Sequence, residues 1–236
     1  MKLFLFSHTY FFELHLTIVL KILTTENNFQ RILENRYIIY KTITHTKSKG
    51  VCYMEFYDVV KNRKSIKKFK NTPINTEKLA RMVNAAMMSP SWKNNTSYKF
   101  ILVNEKNKLE QISKSIVNKD SSAEQSILDA PMTAIIVADP NASGKVENKE
   151  YYLVDSAIAM EHFILSATNE GYGTCWIAAV NEDMIKKAVS IPQNYKVVAI
   201  TPIGEIAESK DHYDKKVVND FVFLNTWDNP YTENIK

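Results

Sequence analysis

Residues 151–179 read YYLVDSAIAMEHFILSATNEGYGTCWIAA. Positions 151–170 are too long and too apolar for a surface helix. The row Leu153, Ile158, Phe163, Ile164 and Ala167 predicts a central helix covered on most sides. Gly171 is its natural stop, because glycine enters the left-handed conformation that ends a helix without a Cβ clash. The run 174–178 then reads as a strand. His162 lies within the predicted core helix and is expected to be packed or hydrogen-bonded rather than catalytic.

Working outward, the punctuation is that of a mixed α/β chain. Upstream, 55–61 reads as a short amphipathic helix. A longer one spans 75–88, with Thr76 as N-cap and Leu79, Met82, Val83 and Ala86 at helical spacing. Residues 98–104 (YKFILVN) predict a strand, and 106–118 a helix with Leu109, Ile112 and Ile116 on one face. The run 132–138 (MTAIIVA), bounded by Pro131 and Pro140, predicts a fully buried strand. Downstream, 182–189 reads as a helix, 197–203 as a strand, and 221–227 as a further strand or an extended arm. Strands alternate with helices without the Gly-rich turn of a dinucleotide-binding crossover, so an α+β sandwich is expected rather than a doubly wound sheet. No repeat is present.

Residues 1–53 differ in kind. They contain no proline and one glycine, Gly50, whereas all seven prolines and the other four glycines lie beyond Met54. Residues 3–23 are apolar enough to raise a signal peptide or anchor, but His8, Glu13 and His15 interrupt them and no small-residue cleavage site follows. Membrane insertion is therefore not expected. Lys49-Gly50-Val51 can be encoded as AAAGGAGUN, a ribosome-binding sequence just ahead of the Met54 codon. Residues 1–53 are thus expected to be an extra segment outside the fold, with Met54 as the true start and 54–236 as the domain. Codons at 49–51 that cannot spell GGAG would remove this expectation.

Composition excludes several classes. The 236 residues are 45% hydrophobic and 24% charged, which fits a globular chain rather than a disordered one. Cys52 and Cys175 allow at most one disulfide, and their setting suggests neither a metal site nor a reactive thiol, so a reducing, cytoplasmic setting is expected. The net charge of +4 resides in the first 53 residues, which hold seven Lys/Arg and three Asp/Glu. The remainder carries 23 of each sign, a neutral body that argues against nucleic-acid binding.

Three stretches could carry chemistry. Residues 61–70 (KNRKSIKKFK) place six cations in ten positions, a pattern that on its own describes a solvated face. If the chain is extended there, Arg63, Ser65 and Lys67 project to one side and can present a guanidinium, a hydroxyl and an ammonium to one phosphate. Lys64, Lys68 and Lys70 then point elsewhere, into solvent. Residues 89–98 (SPSWKNNTSY) read as a polar loop anchored by Trp92, or as the rim of a flat-ligand site in which Ser91 and Asn94 offer hydrogen bonds. At 171–179 (GYGTCWIAA), the small Ala178 and Ala179 would let a planar ligand approach a backbone amide.

Taken in order, R-K-S-I-K-K-F at 63–69, S-P-S-W-K-N at 89–94, D-S-A-I-A-M at 155–160, G-Y-G-T-C-W-I-A at 171–178, I-G-E at 203–205 and a C-terminal arm with Lys and Trp resemble the nitroreductase family of FMN-dependent oxidoreductases. The resemblance spans 54–236 and none of 1–53. It implies a three-layer α+β fold with a mixed or antiparallel central sheet flanked by helices, in an obligate homodimer with two FMN sites built from both chains. The cofactor-binding set it implies is Arg63, Lys64, Ser65, Lys67, Pro90, Ser91, Trp92, Asn94, Ile177, Ala178, Ala179 and Lys215. Within it, Arg63, Ser65 and Lys215 would hold the phosphate. Lys67 would stabilise negative charge at the pyrimidine edge of the reduced ring. Pro90, Ser91 and Asn94 would come from the partner subunit, and the amide near Ala178 would face flavin N5, with Ala179 beside it. Three departures stand out: Ala178 replaces a frequent glycine, Thr96-Ser97-Tyr98 replaces a frequent Gln-Pro-Trp, and no residue of 123–127 matches the Asn and Lys that some relatives set against the flavin's polar edge.

The activity so implied is NAD(P)H oxidation by ping-pong hydride transfer to small acceptors such as nitroaromatics or quinones, with no metal and no protein acid, base or nucleophile. Alternatives remain open: an FMN-storing or FMN-sensing module without turnover, or a reductase of an enone or halogenated phenol on the same scaffold.

Overall fold

The computed structural model describes residues 54–117, 121–208 and 216–232. The expectations placed on residues 1–53 and on Lys215 lie outside the described residues.

The chain opens with α1 (Phe56–Asn62) and α2 (Thr76–Met87), followed by β1 (Tyr98–Val103), α3 (Lys106–Ser113), α4 (Ser122–Asp129) and β2 (Met132–Ala138). A two-stranded ribbon of β3 (Lys145–Val146) and β4 (Lys149–Glu150) leads into α5 (Tyr151–Asn169). Then come β5 (Tyr172–Thr174), α6 (Glu182–Val189) and β6 (Lys196–Glu205). The main sheet has the order β1-β2-β6-β5, with every neighbouring pair antiparallel.

β2 is the key to the layering. All seven of its residues are buried, and its alternating side chains serve two cores. Ala134, Ile136 and Ala138 pack with Met82 and Ala86 of α2 and with Met160, Phe163 and Ile164 of α5. Ile135 and Val137 pack with Leu109 and Ile112 of α3, Ile127 of α4 and Ile185 of α6. Helices thus cover both faces of an antiparallel sheet, the three-layer α+β arrangement expected from the sequence.

Several boundaries differ from the sequence reading. The cap of α2 is Asn75, not Thr76: its side-chain oxygen accepts from the amides of Glu77 and Lys78, each at 3.0 Å. α3 ends at Ser113 rather than 118, because the Ser113 and Ser115 hydroxyls donate back to the carbonyls of Glu110 and Ile112, and Ile116 turns away to bridge Val180. β5 begins two residues early and stops at Thr174. The Cys175 amide there donates to the Thr201 hydroxyl (3.1 Å) instead of to the ladder, and pairing resumes only where Ile177 bridges Ile200. On α5, Leu153 is 46% exposed, so the helix is covered over its centre and C-terminal half but not around its first turn. The 221–227 run forms no strand. It folds on itself, with Phe223 stacked on Trp227 and bridged to Pro230, around Asn225 in the left-handed region.

Candidate active site

Gly171 ends α5 with φ +85°, as its place in the sequence required. The chain then enters β5, where Gly173 lies against Ile66; a Cβ on this glycine would stand 2.9 Å from three Ile66 side-chain atoms. That close approach lets residues 63–67 run as an extended segment along β5. Thr174 pairs with Ile203 on one side and bridges Ser65 on the other, and its carbonyl accepts from the Ile66 amide at 2.8 Å. Ile66 is buried while its neighbour Ser65 is exposed, but Arg63, Lys64 and Lys67 are all half-buried, so burial separates Ser65 from Ile66 without sorting the cations into two faces.

Lys68 and Lys70 behave as solvated cations, paired at the surface with Glu208 (2.5 Å) and Glu205 (3.8 Å). The hydrogen bond from Lys68 to the Glu208 carboxylate, then its charge, raises the Lys68 pKa above the ordinary lysine value. Lys64 differs from the expectation that it points into solvent. It is half-buried and lines, with Ile66, a pocket bounded by Met54, Asn62, Thr168, Tyr172 and Ile206.

A third segment completes this edge. The Lys67 ammonium donates to the Ser122 hydroxyl at the start of α4. The Val117 amide donates to the Ala179 carbonyl (3.0 Å), and the Asn181 amide to that of Ser115 (2.6 Å). Residues 63–67 therefore meet Ser122, and Ser115 and Val117 meet residues 179–181. Ser122 is the residue that sequence reasoning missed; Ser121-Ser122 followed by Glu124 is a helix-start signal one residue before the stretch inspected for polar partners. Ile177 is held in the sheet by reciprocal amide bonds with Ile200 (2.9 and 2.8 Å), while Ala178 and Ala179 are exposed. Among the described residues, no group accepts from the Ala178 amide. A small-residue stretch with an available N–H, following a strand that pairs with the cationic segment, suits a planar, anionic or electron-rich ring, which is what a flavin offers.

The 89–97 loop stands elsewhere. It enters β1 at the opposite edge of the sheet from the Ser65 segment, four strand spacings or roughly 19 Å away. Within one chain, Pro90, Ser91, Trp92 and Asn94 are thus not brought to Arg63, Ser65 and Lys67. The loop is tightly built. Lys93, Asn94 and Thr96 all have φ between 47° and 59°, and Thr96 is β-branched, so this backbone stores strain. The Thr96 amide donates to the Ser91 hydroxyl (3.0 Å), Trp92 packs on Tyr151 with ring centroids 4.2 Å apart, and buried Ser89 and Tyr98 join their hydroxyls at 2.7 Å. His162 Nδ1 lies 3.2 Å from the Ala85 carbonyl, the hydrogen-bonded role expected of it, and Cys175 is buried. No helix among the described residues is long and apolar enough to cross a membrane.

Comparison with known proteins agrees with this fold. Residues 60–205 match the model of the Nitroreductase family. The crystal structure of a nitroreductase family protein from Clostridium novyi NT is 49% identical, covering 75% of this chain and 97% of that one, with a TM-score of 0.65. An FMN-dependent nitroreductase from Clostridium difficile R20291 is 27% identical over 72% of this chain and 98% of its own, with a TM-score of 0.63. A "Putative NADH dehydrogenase/NAD(P)H nitroreductase" of Methanothermobacter thermautotrophicus is 27% identical over 79% of this chain and 95% of its own. The family match covers more than half of the chain, and with it the cationic segment, the strained loop and the Ala178 edge: the chain belongs to the nitroreductase family of oxidoreductases.

Proposed function

We propose that this oxidoreductase is an FMN-dependent NAD(P)H reductase of small electron acceptors such as nitroaromatics and quinones, working as a homodimer by ping-pong exchange of reductant and acceptor. The observation that carries the reading is that the cationic segment bridges β5 through Ser65 and Thr174 and bonds Ser122 through Lys67, while the Ala178 amide, four residues past Thr174, is unclaimed. When bound, FMN supplies the two-electron chemistry.

The chain's own residues do the rest. Arg63 and Ser65 offer a guanidinium fork and a hydroxyl on the outer side of β5, with Lys215 proposed to join them, as a seat for the phosphate dianion. Lys67, held to Ser122, keeps a fixed positive charge at the ring's pyrimidine edge, where reduction places negative charge. The Ala178 amide offers a donor toward the ring, and Ala178 and Ala179 leave its face uncovered for reductant and acceptor in turn. Pro90, Ser91 and Asn94 are too far away to serve the same chain's site, so a second copy supplies them.

The absorbance spectrum of the purified protein tests the cofactor. Flavin bands that bleach with NADH or NADPH and return with a quinone are expected. A colourless, monomeric protein after reconstitution with FMN would refute the reading, and bound FMN that neither nucleotide bleaches would favour a storage or sensing module. Arg63→Ala with Lys215→Ala removes two charge-assisted contacts worth ~1.5–3 kcal/mol each, so FMN affinity falls at least about a hundredfold. Unchanged affinity would put the phosphate elsewhere.

A further inference from the structure

Asp155 sits one turn into α5, directly below the strained loop, and is 2% exposed. Three donors from two other segments converge on its carboxylate. The Trp92 amide donates to Oδ1 at 2.7 Å, and the hydroxyls of Ser97 and Ser143 donate to Oδ2 at 3.0 and 2.8 Å. A buried carboxylate is costly to desolvate, and these three bonds are what make it tolerable here. Two of them grip the loop at Trp92 and Ser97, on either side of the left-handed residues Lys93, Asn94 and Thr96. The third ties in the stretch that precedes β3. Burial of the loop's ends needs no such device, since the Trp92–Tyr151 packing and the Ser89–Tyr98 bond already provide it. What the carboxylate adds is a fixed shape for the exposed crest between its two grips.

We propose that Asp155 is a positioning residue: it locks residues 92–97 in their strained conformation so that Ser91 and Asn94 are presented in one fixed geometry to the flavin held by the other chain. This inference rests on the FMN reading above. It assigns Asp155 no contact with the cofactor; it acts on one chain and is felt in the site of the other.

The test exploits that crossing. Asp155→Ala removes both oxygens and with them all three bonds, and lowers FMN affinity about tenfold or more in a dimer that still folds. Asp155→Asn keeps an acceptor for Trp92 and can donate to the hydroxyls, so it restores most of the affinity and serves as the variant to read if Asp155→Ala fails to fold. Mixed dimers, isolated by coexpressing an Arg63→Ala chain and an Asp155→Ala chain under different affinity tags, then discriminate. If the loop serves the partner, both defects fall in one site and the other is intact, so each mixed dimer regains one tight FMN although neither parent dimer has any.

A role confined to the stability of its own chain gives no such recovery, and its absence overturns the proposal. So does a folded Asp155→Ala dimer that binds FMN as the unaltered protein does. Should the unaltered protein bind no FMN, the underlying reading fails instead. Weakened binding in Arg63→Ala with unchanged binding in Asp155→Ala would sink this inference alone.

Discussion

Gly173→Ala strikes the joint between β5 and the cationic segment. The new Cβ would stand 2.9 Å from Cβ, Cγ1 and Cγ2 of Ile66, a side chain that is itself buried. Ordinary contact needs about 0.7 Å more. Ile66 meets the glycine at its branch point rather than at a flexible tip, so relief must come from the backbone of residues 65–67 moving off β5. Overpacking of this kind costs about 1–3 kcal/mol, offset by roughly 0.5 kcal/mol because alanine restricts the unfolded chain.

The net is about 0.5–2.5 kcal/mol, a melting temperature lower by about 1–10 °C in a domain of this size. Since Ser65 and Lys67 flank Ile66, FMN affinity falls as well, by about tenfold for a displacement approaching 1 Å. Ile66→Ala alone costs more, about 2–5 kcal/mol, but in the double variant it removes two of the three clashing carbons. The pair is then less destabilised than the sum of the singles by about 1 kcal/mol. Denaturant melts and flavin titration of the four proteins decide it. Strict additivity, or a Gly173→Ala protein with unaltered melting and affinity, would refute the packing argument.

Gly144→Ala would drive a Cβ into the Trp92 indole and so must shift the ring from its packing on Tyr151. A loss of about 2 kcal/mol and a changed tryptophan emission are expected, and an unaltered emission would contradict them. Tyr152 has its pKa raised, chiefly by burial and then by the Glu150 carboxylate. Its protonated form is therefore favoured by folding, so the associated stability is full below the free phenol's pKa and declines as pH rises through the folded one. Ultraviolet titration should find one tyrosine ionising above the ordinary range and moving back toward it in Glu150→Gln.

Much of the architecture was legible because burial writes itself into periodicity. The bounds of β2 follow directly from its apolar run, those of α6 match the helix read at 182–189, and α5 ends where Gly171 says it should. What local pattern could not show was competition from side chains. The Ser113 and Ser115 hydroxyls cut α3 short, and the Thr201 hydroxyl drew the Cys175 amide out of the ladder; both are tertiary outcomes of residues that look neutral in sequence. Leu153 misled for a different reason: an apolar residue at helical spacing says that a face is greasy, not what covers it.

In the site, the opposite facing of Ser65 and Ile66 is the part that could be read in advance, because it follows from the period of two of an extended chain. Ser122 could not, since its bond to Lys67 joins residues 55 positions apart in the chain. Nor could the separation of the 89–97 loop from the cations, which depends on strand order, a property that no single segment encodes.

Ile135 and Ile136 are neighbours in the chain, yet each answers to a different core. Substitutions at the two are expected to add like those at remote sites, because the sheet insulates one compartment from the other. Such a partition lets the helices on either side drift at their own pace over evolutionary time. The layer beneath α3, α4 and α6 can be rewritten without renegotiating the layer beneath α2 and α5.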